Sequence, residues 1–162
     1  MNNPFIRQCF EAFAQPLFGF AYRTLGDVER ANDVVQESFL TLLKKGDHFT
    51  VKIAAKVFLF KTARFHMLNQ GRDRWRQVLP LEETDGRTDQ GTTQSDTTQA
   101  VREALSQLPE ELLTPLLLKE YHGFKYAEIA TMLEIPVGTV RSRLFRARTM
   151  MMKSLETMGG FP

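Results

Sequence analysis

The stretch "EETDGRTDQGTTQSDTTQ", residues 82–99, constrains the fold more than any other part of this chain. It is built largely from Thr, Asp, Gln and Gly, with no apolar period from which a buried face could form. On either side, apolar residues recur at intervals of three and four, as on a helix with one buried stripe, and the alternation of a strand is nearly absent. This pattern predicts an all-α fold: two small helical domains joined by a flexible linker, the C-terminal one a helix-turn-helix. We place the domains at 1–77 and 100–162, with an acidic linker over 78–99. As a coil, ~20 residues span roughly 25 Å on average. Each half is small enough for a partner to add to its stability.

Charge follows the same division. Residues 1–78 carry 12 Lys and Arg against 7 Asp and Glu, residues 79–98 carry 1 against 5, and residues 99–162 carry 8 against 7. From Thr139 to Lys153 every charge is basic. Two basic regions around an acidic spacer suit a polyanion held at two places. Cys9 is the only cysteine, so no intrachain disulfide forms and a reducing cytoplasm is the expected setting. The N-terminal run "FEAFAQPLFGFAY" is interrupted by Glu11, Gln15 and Pro16, and nothing reaches the ~18 uninterrupted apolar residues of a membrane span. A soluble chain without stable membrane insertion is expected.

The C-terminal half is read from "YAEIATMLEIPVGTVRSRLFRARTMMM". A first helix over Tyr126–Leu133 turns Ile129, Ala130 and Leu133 inward. Pro136 disfavours helix at Ile135 and is well placed to begin the next one. The second helix runs from Val137 to Met152 or beyond. At about 100° per residue, Val137, Val140, Leu144, Ala147, Met151 and Leu155 share one stripe. Thr139, Ser142, Arg146 and Thr149 lie opposite, with Arg141 and Arg143 on the flanks. Small Ala130 permits close crossing, and the polar, basic face fits a major groove. Arginine bonds guanine bidentately or holds phosphate, and serine or threonine contacts either. Glu134 occupies the turn position often taken by glycine, at a cost of about 1 kcal/mol where φ is positive.

The segment "ALSQLPEELLTPLLLKEYHGFKYAEIATMLEIPVGTVRSRLFRAR" resembles region 4 of the extracytoplasmic-function (ECF) group of bacterial sigma factors. That resemblance implies reading of the promoter −35 element, with Thr139, Arg141, Ser142, Arg143 and Arg146 at recognition-helix positions.

In the N-terminal half, "GDVERANDVVQESFLTLLKK" offers Asp27 as an N-cap and Val28, Ala31, Val34, Val35, Phe39 and Leu42 as a buried face. Leu40 points away from that face, into a ring of Asp33, Gln36 and Glu37, as an apolar anchor with a polar rim. The stretch is similar to sigma region 2.2, often "DLVQEVFLRLW", which implies that these four residues grip the β′ clamp of RNA polymerase. The next helix, about Val51–Gln70, is basic and aromatic, with 7 basic residues and one acid between Lys52 and Arg76. Phe58, Lys61, Phe65, Asn69 and Arg72 share one side, joined by Arg64. Exposed aromatics with cations are the means of holding single-stranded nucleic acid. Core packing competes for Phe58 and Phe60. Similarity to regions 2.3 and 2.4, commonly "WLYRIARN", implies capture of the −10 element. Phe58 and Phe60 replace the usual Trp and Tyr, Phe65 stands where Asn is common, and "KGDHFTV" would form the base pocket.

His48, His66, His122 and Cys9 lack ligand spacing, and neither a phosphate loop nor a nucleophile motif is present, so neither metal, cofactor nor enzymatic activity is expected. Glu110, Glu111 and Glu120 read as surface or helix-start charges. The resemblance implies a sigma factor whose partners are core polymerase (β′ clamp and β flap), promoter DNA and an anti-sigma factor. The alternatives are a sigma-like module that titrates an inhibitor without driving transcription, and a free-standing operator-binding regulator.

Overall fold

The computed structural model describes residues 3–45, 49–70 and 96–159, and among them every regular element is helical. The chain forms two compact units, one ending at Trp75 and the other beginning at Arg76.

The first unit holds α1 (Pro4–Leu25), α2 (Val28–Lys44) and α3 (Lys52–Asn69), each packed against the other two. Asn3 opens α1 by accepting from the Phe5 and Ile6 amides, and Pro16 lies inside the helix. Gly26, left-handed at φ 73°, closes α1, its amide donating to the Tyr22 carbonyl. The next residue, Asp27, caps α2 as expected, accepting from the Arg30 amide at 3.1 Å. This tight turn lays α2 back along α1. Ala31, Val34, Val35, Phe39 and Leu42 are buried, whereas Val28, expected on that face, is 43% exposed. It sits in the first turn of α2, beside the reversal, where α1 has already ended. Phe20 of α1 and Phe60 of α3 meet at 5.3 Å in the core. Cys9 is fully buried, and that burial pushes its thiol pKa up against the opposing charge of Lys52.

The second unit holds α4 (Asp96–Ser106), α5 (Glu110–Leu116), a π-helical turn (Leu117–Tyr121), α6 (Tyr126–Leu133) and α7 (Val137–Thr157). α4 begins at Asp96, so four residues read as linker are helical. The polar "DTTQ" had no apolar period to announce them, because only the later residues Ala104 and Leu105 are buried. α4, α5 and α6 all pack on α7, around Leu112, Leu116, Ile129, Leu133, Val140 and Leu144. No helix among the described residues is long and apolar enough to cross a membrane.

Candidate nucleic-acid interface

α6 and α7 meet through a turn built by backbone chemistry. Glu134 takes φ 59°, ψ 47°, and both its amide and that of Ile135 donate to the Ala130 carbonyl. α7 starts at Val137 as expected, with Pro136 as its N-cap residue rather than its first helical one, and the Pro136 carbonyl accepts from the Thr139 and Val140 amides. α7 therefore leaves at a fixed angle, with Val140, Leu144 and Ala147 buried and Val137, Met151 and Leu155 half-buried.

The opposite face is the open one. Arg141, Ser142 and Arg146 are exposed, and Thr139 is half-buried with its carbonyl accepting from the Ser142 hydroxyl at 3.2 Å. Arg143 leans toward α5, its guanidinium 4.0 Å from the Glu111 carboxylate. Arg148 donates to Glu120 at 2.7 Å, and that hydrogen bond is the first cause of its raised pKa, with Tyr126 the second. Glu111 and Glu120, read from sequence as surface or helix-start charges, are exposed as expected and also pair with α7 arginines. Phe145 was not singled out in the sequence, yet at 71% it is a highly exposed aromatic, one turn beyond Ser142. Its only signal is its place between Leu144 and Arg146 in an otherwise polar face.

In the first unit, Asp33, Gln36 and Glu37 are exposed around Leu40, which is itself 52% exposed. On α3, Lys61, Phe65 and Asn69 are exposed on one side, Phe65 at 59% with its ring edge-to-face with His66. Arg64 is half-buried on the flank. Phe58 is half-buried and tilted against Phe49, ring centroids 5.1 Å apart, while Phe60 is core. Competition between packing and exposure is resolved residue by residue along one helix. Arg72, and the Gly46–His48 part of the expected base pocket, lie outside the described residues.

Both halves of the chain match known protein families. Residues 9–77 match the model for Sigma-70 region 2, and residues 98–151 the model for Sigma-70, region 4. The chain is 33% identical over 142 residues to the ECF RNA polymerase sigma-E factor of Haemophilus influenzae, covering 78% of this chain and 75% of the other. It is 32% identical over 163 residues to the ECF RNA polymerase sigma factor SigL of Mycobacterium tuberculosis, covering 95% and 90%. The structure of the sigma factor RpoE in complex with the anti-sigma factor NepR, from Bartonella quintana, superposes with TM-score 0.74 at 26% identity, covering 93% of this chain and 96% of that one. The chain belongs to the ECF group of RNA polymerase sigma factors. It is a promoter-recognising factor for transcription initiation, and sigma factors are non-enzymatic regulators that work with polymerase core and promoter DNA.

Proposed function

We propose that this sigma factor divides promoter recognition between its two units. The first, residues 1–77, docks on the β′ clamp through Leu40, with Asp33, Gln36 and Glu37 as its polar rim. It holds the unstacked −10 element with Lys61, Arg64, Phe65, Asn69 and Arg72, and with Phe58 at the margin. The second, residues 100–162, reads the −35 duplex through Thr139, Arg141, Ser142, Arg143 and Arg146, and meets the β flap. The acidic segment between them tethers the units and, being negative, gives DNA no competing foothold. The chain acts in the cytoplasm and performs no catalytic step, since nucleotide addition belongs to the polymerase. Its likeness to an RpoE solved with NepR supports an anti-sigma partner here too.

Leu40 carries this reading. It is 52% exposed on a helix whose other large apolar positions are mostly buried, and an operator-binding regulator has no use for it. A fully desolvated apolar anchor with a polar rim is how interfaces concentrate binding energy.

The test is single-round transcription by purified core polymerase, with and without the protein, on a pool of genomic promoters. Transcripts that need the protein and vanish with Leu40→Asp are the expected result. Stable core binding with no transcript would instead establish an inhibitor-titrating module. Loss of both would leave a simple DNA-binding regulator.

A further inference from the structure

Arg148 lies on α7 beyond the residues assigned to the −35 element, and it is held from outside that helix. Its Nη2 donates to Glu120 Oε2 at 2.7 Å, and neighbouring Tyr126 joins Glu120 in raising the guanidinium's pKa. The same Tyr126 ring has Lys119 Nζ 5.0 Å from its centroid and Arg141 Cζ at 5.9 Å. One carboxylate and one phenol ring thus collect three cations from the π-helical turn and α7.

The π-helical turn bears on how Glu120 comes to be there. Every residue from Leu112 to Leu118 is buried, so the helix is covered on all sides as it enters the turn. A π turn takes one more residue than an α turn. Across it Glu120 stands half exposed beside Arg148.

We infer that Glu120 and Tyr126 are positioning residues that aim Arg148, together with Lys119 and Arg141, at one stretch of DNA backbone beside the −35 element. This inference rests on the −35 reading of α7 given above. A free arginine side chain loses rotamer freedom when it orders on a phosphate, and a partner that has already fixed it removes that cost. Glu120 engages one N–H of the five in the guanidinium fork, which leaves others for phosphate oxygens. The opposite role is also physically available, because a carboxylate near DNA repels it. The two roles differ in sign.

The experiment uses holoenzyme assembled from core polymerase and the full chain, bound to a promoter duplex recovered in the transcription experiment, with affinity measured across a salt series. Arg148→Ala is expected to make the slope of log affinity against log salt shallower by about 1. Glu120→Ala should reproduce that change, with a loss of affinity of roughly twofold to fivefold. Glu120→Gln, which keeps an acceptor, should recover most of the slope, and Tyr126→Phe should fall between. In the Arg148→Ala background, Glu120→Ala should add nothing. A pair this exposed contributes little to folding, so the variants remain assayable. The inference is overturned if Glu120→Ala leaves the slope unchanged, tightens binding, or adds in full to Arg148→Ala. A wild-type holoenzyme indifferent to a scrambled −35 element would overturn the −35 reading and this inference together. Intact −35 selectivity that Arg146→Ala destroys, with no effect of Glu120→Ala, would overturn the inference alone.

Discussion

Glu134 holds a left-handed conformation that an L side chain reaches at a cost, because its Cβ crowds the following carbonyl. Glycine has no such crowding, although it gives the unfolded chain more freedom to lose. Glu134→Gly is therefore expected to raise the stability of the second unit by about 1 kcal/mol, read as a higher denaturant midpoint at an unchanged slope. This strain was legible in the sequence, since the turn needed a residue that Glu replaced. Leu40→Asp should act on binding rather than on folding. On an exposed site it should leave folding stability within about 0.5 kcal/mol. Binding to core polymerase should weaken by about 2 kcal/mol, measured by titration of labelled protein.

Along α3 a single helix carries two kinds of phenylalanine. Phe60 is 1% exposed against Phe20, and Phe60→Ala is expected to cost about 3–5 kcal/mol of the first unit's stability by denaturant unfolding. Phe65, at 59% exposure, should be almost silent in the same assay. Spacing alone did not fully sort them, because both positions sit among basic residues in the sequence and only the packing of α1 against α3 decides which ring is covered. α6 was legible to its ends, since Pro136 and the apolar stripe bound it. The N-terminal turn of α4 was not, because its polar residues have nothing to bury. Nor was the π-helical turn or the Glu120–Arg148 pair, whose partners are 28 residues apart in the chain. On α7, Arg146 stands on the open face. Arg146→Ala is expected to cost about 1–3 kcal/mol on the preferred promoter and to relax preference at one −35 position. Binding to a panel of single-base variants measures both.

At the scale of the molecule, the account gives each unit a different state of DNA. α7 offers a basic face for a duplex groove, and α3 offers an exposed ring and cations for bases already out of the stack. Sequence separated these faces well, because each is carried by local helical periodicity. The functional division between them is the central claim, and it has a direct measurement. Holoenzyme is bound to a recovered promoter, and permanganate reactivity of unpaired thymines reports strand opening while footprinting reports upstream duplex contact. The account predicts that Phe65→Ala keeps the upstream footprint and loses most thymine reactivity, whereas Arg146→Ala weakens the footprint itself. If Phe65→Ala opened the promoter as the wild type does, or if both variants failed at the same step, the division of labour between the two units would be contradicted.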